Sequence, residues 1–199
     1  MPKKFFAIKK GHQTGIFNSW LECKDLISGY PNAEFKGFDT LQAAQAYLDG
    51  TFLPEELPDC TDNTPIAYVD GSYDIKTERY AYGCVIITPK KEVVKQNGIG
   101  DKAEAKSSRN VAGELTGAMF CIHWAAKNGY KSIKIYHDYE GIAKWFSKEW
   151  KAESYVATEY VKFLDKYSPH IKITFEKVTA HTGVALNEEA DRLAKEALK

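Results

Sequence analysis

The sequence predicts an α/β protein, with a small ββαβα unit followed by a mixed five-stranded sheet with flanking helices. Three observations lead there. Apolar runs of strand length alternate with turn-forming clusters. Several stretches repeat their apolar residues at helical spacing. The middle of the chain reads strand, helix, strand, the order of a crossover between parallel strands.

In the N-terminal unit, Lys3 to Lys10 predicts a strand, Gly11 to Gly15 a turn, and Ile16-Phe17 the start of a second strand, which together suit a hairpin. Ser19 to Ile27 predicts a helix opened by a Ser19-x-x-Glu22 capping box. A loop containing Pro31 leads to a third strand over Ala33 to Phe38 and a second helix over Thr40 to Leu48. Gly50 to Thr64 carries two prolines, four acids and no periodicity, the composition of a linker. The predicted division is therefore a domain over 1–50, a linker over 51–63 and a larger domain over 64–199.

The larger domain opens with a meander of Ile66 to Asp70, Tyr80 to Thr88 and Glu92 to Gly100, turning at Pro89-Lys90-Lys91. Ser132 to His137 and Ile171 to Val178 extend it as parallel strands. Helices are expected near Ala112 to Asn128, Tyr139 to Phe146, Ser154 to Tyr167 and Asn187 to Leu198. In Lys144 to Lys151, Trp145 and Phe146 are expected to pack at a helix end.

Four carboxylates stand out against this frame. Asp70 closes the run Ile66-Ala67-Tyr68-Val69, and Asp138 closes Ile133 to His137, so two neighbouring strands would present acids side by side. Glu114 opens the helix between them, whose buried stripe is Leu115, Ala118, Met119, Ile122 and Ala126. Asp191 shares a helical face with Asn187, Ala194 and Leu198. Each acid taken alone reads as an ordinary cap or solvated residue. As a set they could converge, and converging carboxylates need protons or cations to offset their repulsion. Mg2+ prefers such hard oxygen ligands, and an ion pair roughly 3.5 to 4 Å apart can clamp both oxygens of an in-line phosphoryl displacement. No His/Cys set competes as a zinc site.

Tyr68-Val-Asp-Gly-Ser72, Arg109-Asn-Val-Ala-Gly-Glu-Leu115, Tyr136-His-Asp138, and Ala180-His-Thr-Gly183 to Asn187-Glu-Glu-Ala-Asp191 stand in the order of ribonuclease H type 1, which the chain resembles from about Pro65 onward. The resemblance implies a ribonuclease H-like fold and an endonuclease that cuts the RNA strand of RNA/DNA hybrids with Mg2+ or Mn2+, leaving 5'-phosphate and 3'-hydroxyl ends. It makes Asp70, Glu114, Asp138 and Asp191 the metal ligands. His181 becomes the loop histidine that assists proton movement or product release, a role its pKa near neutrality suits. Gly71, Ser72, Asn110 and Asn187 fall at substrate-binding positions, where the 2'-hydroxyl marks RNA. Val111 stands where many relatives carry a second Asn, and Glu140 where many carry Gln. These departures leave the metal ligands untouched. A non-catalytic binding module on the same fold would be expected to lack an acid, and an integrase-like strand transferase would lack the N-terminal unit.

Gly11-x-x-Thr-Gly15-Ile-Phe, Trp20 and Phe35-Lys36 resemble the hybrid-binding domain that precedes some ribonuclease H domains and occurs in a plant-virus translational activator. The resemblance implies that Trp20 and Phe35 stack on DNA sugars while Lys36 holds phosphate, with weak binding of double-stranded RNA as well. From periodicity alone, Trp20 and Phe35 read as core residues. A tethered binding domain raises the local concentration of the catalytic domain on hybrid, which predicts processive cutting of long hybrids.

Twenty-seven basic and 27 acidic side chains give a formal net charge of zero, unusual for a nucleic-acid enzyme. The basic residues gather instead in Lys3 to Lys10, Lys102 to Arg109 and Lys144 to Lys151. Four widely spaced cysteines suit reduced thiols. With no apolar run of membrane-spanning length and no signal-peptide pattern, the expectation is a monomeric cytoplasmic enzyme without a membrane partner.

Overall fold

Alternating apolar residues and short turns build the N-terminal unit around one strand. In the computed structural model, which describes residues 5–38, 40–49, 57–178 and 185–199, the chain divides into two compact units, Met1–Glu56 and Leu57–Lys199. In the first, β1 (Phe5–Lys10) is flanked by antiparallel β2 (Gly15–Phe17) and β3 (Glu34–Phe38). Helix α1 (Trp20–Ile27) is capped by the Ser19 hydroxyl, which accepts from the Leu21 N–H at 3.2 Å. The capping box predicted acceptance from Glu22 instead. Helix α2 (Leu41–Leu48) is capped by Thr40, which accepts from the Ala43 N–H at 3.2 Å. Ala7, Phe38 and Ala44 form the small core, with Phe5, Ile16, Tyr47 and Leu48 packed on it.

The second unit carries a sheet in the order β6-β5-β4-β7-β8, built from β4 (Ile66–Asp74), β5 (Arg79–Ile87), β6 (Val93–Gly100), β7 (Ser132–His137) and β8 (Lys172–Lys177). The first three strands are antiparallel, and β7 and β8 run parallel to β4. Helices α3 (Arg109–Lys127), α4 (Gly141–Phe146) and α5 (Tyr155–Tyr167) share a core with the sheet, in which Val69, Ile86, Leu115, Ile122, Ile135 and Tyr160 are buried. Helix α6 (Ala185–Ala197) packs on β4 and β5. Its approach to β5 depends on Gly83, where a Cβ would lie 2.0 Å from the Ala190 carbonyl and 2.5 Å from the Ala194 nitrogen. Among the described residues, no helix is long and apolar enough to cross a membrane. Leu57 to Asp59 are held by the Lys91 ammonium, which donates to the carbonyls of Leu57 at 3.0 Å and Pro58 at 3.1 Å and to the Asp59 carboxylate at 2.5 Å.

Two predicted boundaries are corrected. The strand β4 does not end at Asp70 but continues to Asp74, because Gly71 to Asp74 stay paired with Tyr82 to Arg79 of β5. Pairing with β7 stops at Tyr68, so Asp70 lies beyond its parallel neighbour. Helix α3 starts at Arg109, which places Glu114 past the first turn, where the helix dipole no longer accounts for an acid.

Candidate functional site

Asp70 reaches the site from β4 just past the end of its pairing with β7, on backbone held by the full β4–β5 ladder. Gly71 follows because α3 presses on the strand there. A Cβ at Gly71 would stand 2.2 Å from the Asn110 carbonyl and 2.6 Å from the Glu114 nitrogen. That close approach sets Glu114 against β4. Asp138 follows His137, which is buried and whose Nδ1 donates to the Tyr139 carbonyl at 2.9 Å, fixing the turn out of β7.

One ligand oxygen each from Asp70, Glu114 and Asp138 lies within 4.8 Å of the others. A cleft of about 390 Å³ opens over them, lined by Asp70, Gly71, Asn110, Glu114, Asp138, Tyr139, Asp191 and Lys195. The structure thus brings all four predicted acids to one cleft, with Asp191 on the wall rather than inside the tight group. Its Oδ2 accepts from the Lys195 ammonium at 2.6 Å.

Burial and mutual repulsion govern the charge state. Asp70 is pushed up to about 7, first by loss of solvent and then by the charges of Asp138 and Asp191, against the Gly71 N–H it accepts at 2.7 Å. Glu114 rises to about 8, again mainly through burial and then through Asp138 and Asp70, while the Asn110 amide donates to its Oε1 at 3.2 Å. The other oxygen, Oε2, is buried without a partner among the described residues. Converging hard oxygens, suppressed ionisation and an unpartnered buried oxygen are together what a divalent cation would relieve.

The remaining predicted residues are distributed unevenly. Gly71 and Asn110 line the cleft, whereas Ser72 continues β4 outside its lining. Asn187 is buried one turn before Asp191, its Oδ1 without a partner among the described residues, and it does not line the cleft. His181 lies outside the described residues. Glu140 is occupied within the protein, accepting from Lys144 at 3.1 Å and from Lys177, which together hold its carboxyl down to about 2. Trp145 is buried at the end of α4, as expected.

In the first unit Trp20 and Phe35 are not in the core, where periodicity alone would put them, and their exposure is compatible with the binding role that the resemblance implies. They are 45% and 40% exposed, and their rings meet at 5.7 Å, with Phe6 at 5.5 Å from Trp20. Strand β3 carries Lys36 beside Phe35. Sequence reasoning missed Tyr139 and Lys195 in the cleft wall. The i,i+4 spacing puts Lys195 on the helical face of Asp191, but such pairs are too common on exposed helices to single it out.

Comparison with known proteins agrees with this arrangement. The family model described as Ribonuclease H1 N-terminal domain matches residues 4–48, and the RNase H model matches 62–199. Ribonuclease H1 of Mus musculus is 25% identical, with 98% of this chain and 89% of the mouse protein covered. Among solved structures, RNase H1 from the archaeon Halobacterium salinarum superposes with a TM-score of 0.57 at 21% identity, covering 68% of this chain and 97% of its own. LC11-RNase H1, solved in complex with an RNA/DNA hybrid, gives a TM-score of 0.52 at 14% identity, covering 68% of this chain and 100% of its own. With both family models matched in order and the sheet topology in place, this chain belongs to the ribonuclease H family as a type 1 enzyme carrying the ribonuclease H1 N-terminal domain.

Proposed function

We propose that the chain hydrolyses the RNA strand of RNA/DNA hybrids as an endonuclease, leaving 5'-phosphate and 3'-hydroxyl ends. Asp70, Glu114, Asp138 and Asp191 would hold two Mg2+ ions, with Mn2+ as a substitute. The observation that carries this reading is the convergence of three carboxylates within 4.8 Å at a cleft whose wall supplies the fourth. Such ions, when bound, activate a water and stabilise the leaving 3'-oxygen.

The chain's own residues prepare that chemistry. The β4–β5 ladder fixes Asp70, and the Gly71 N–H orients one of its oxygens. Asn110 commits one amide hydrogen to Glu114, which aims that carboxylate and leaves its second hydrogen and its oxygen for a 2'-hydroxyl in the minor groove. Gly71 and Ser72 offer strand backbone beside the acids. Asn187, one helical turn before Asp191, would contact substrate, and His181 would move a proton or help product leave. The hybrid seen bound to LC11-RNase H1 supports the substrate class.

Residues 1–50 act as the hybrid-binding domain, through Trp20 and Phe35 as an exposed aromatic pair and through Lys36, with double-stranded RNA bound weakly. The enzyme is a monomer, and its four free thiols suit the cytoplasm.

The test is incubation of the full chain with a hybrid labelled on its RNA strand, in Mg2+, Mn2+ or chelator, beside double-stranded RNA and DNA. Metal-dependent cutting of the hybrid's RNA alone, with 5'-phosphate ends, is expected. Tight binding without cutting would replace the enzyme reading by a scaffold reading.

A further inference from the structure

Lys195 sits one helical turn beyond Asp191 on α6, and its ammonium donates to Asp191 Oδ2 at 2.6 Å. An i,i+4 pair on a helix is ordinarily a minor surface contact. Two observations set this one apart. Lys195 lines the same cleft as Asp70, Glu114 and Asp138, so its charge stands at the mouth of the acid cluster. Asp191, the acid it holds, is also the one absent from the group whose oxygens lie within 4.8 Å of one another.

We infer that Lys195 is a tethered counter-cation of the acid cluster, engaging Asp191 at the cleft and setting how tightly a divalent cation binds there. The inference rests on the reading of the four acids as metal ligands. A divalent ion arriving at this corner must share or take the carboxylate that the ammonium holds, and it meets a like charge nearby. Both effects weaken its binding in the absence of nucleic acid. Meanwhile the ammonium lets four acids share one cleft in the metal-free protein, where uncompensated carboxylates would repel. Lys195 is a positioning residue in this scheme, acting through Asp191 and through its field.

The experiment is Mn2+ titration of the full chain without nucleic acid, followed by the electron paramagnetic resonance signal of the free ion. Lys195→Met keeps the apolar stem and removes the charge. It is expected to bind roughly tenfold tighter than the parent, the Coulomb repulsion of a single and a double charge about 6 Å apart at the dielectric of water. Lys195→Arg keeps the charge and should stay within about twofold of the parent. The metal-free Lys195→Met protein should also melt lower and gain more melting temperature from Mn2+. Should it fold poorly, Lys195→Gln gives the same comparison, since the side chain is largely exposed. Unchanged or weaker binding by the charge-free variants, beside normal binding by the parent, overturns this role for Lys195 and leaves the metal site standing. Absence of binding in all of them overturns both.

Discussion

At Asp70 and Glu114, burial has consequences that reach stability as well as chemistry. Their carboxyls titrate near 7 and 8 in the folded chain and in the ordinary carboxylate range once unfolded. Between those limits the folded state binds more protons than the unfolded one, so stability is fully present at low pH and falls as pH rises through 7 and 8. The metal-free protein should therefore lose on the order of 6 kcal/mol between pH 5 and pH 8.5, somewhat more of it at Glu114 than at Asp70. Urea denaturation at both pH values measures this, and added Mg2+ should restore much more stability at the higher pH. A flat profile would mean that the acids are already neutralised within the protein. Arg109 carries a second residue-scale consequence. It opens α3 at φ +48° and ψ −125°, a region costly for any side chain, one residue before Asn110 of the cleft wall. Arg109→Gly should stabilise the fold by about 1 kcal/mol, read from the denaturation midpoint.

At the scale of elements, the two glycines under α3 and α6 decide where the acids meet. Gly83→Ala would drive a Cβ into the Ala190 carbonyl, 2.0 Å away, so α6 must lift from β5 with Asp191 on it. A loss of about 3 kcal/mol is expected in chemical denaturation, with Mn2+ affinity falling in parallel. This is also where reading from sequence met its boundary. The strand β7 and the helical stripe of α3 were legible because period and length announce them. The four acids were legible as a set because each adjoins such an element. The end of β4 was not, since Gly71 to Asp74 continue as strand only through partners on β5 distant in sequence. The start of α3 was hidden for a similar reason, because its first residue adopts a backbone that no local rule assigns to arginine. Trp20 and Phe35 were placed on the surface only by the resemblance, since period alone gives core, and the small unit has too little interior to bury them. The Lys195 contact escaped because i,i+4 ion pairs are common on exposed helices and carry no signal alone.

Across the whole molecule, the proposed function has a binding unit and a catalytic unit on one chain divide affinity from turnover. The Trp20→Ala, Phe35→Ala double variant should weaken binding of a long hybrid by roughly tenfold or more, each stacked ring contributing about 1–3 kcal/mol. The effect should appear in KM and in the number of cuts per encounter, with kcat on a short hybrid unchanged. Equal loss on short and long hybrids would mean that the aromatic pair does not act as a tether. A formal net charge of zero fits this division, because attraction to phosphate need not come from the molecule as a whole.

The most direct measurement compares the parent with Asp70→Asn on an RNA-labelled hybrid in Mg2+, with binding followed separately by fluorescence anisotropy. Loss of a carboxylate at the centre of the acid cluster should slow cleavage by on the order of a thousandfold, about 4 kcal/mol of transition-state stabilisation, while the affinity for hybrid stays near that of the parent. Turnover retained by purified Asp70→Asn would contradict the assignment of the cleft as the place where RNA is cut.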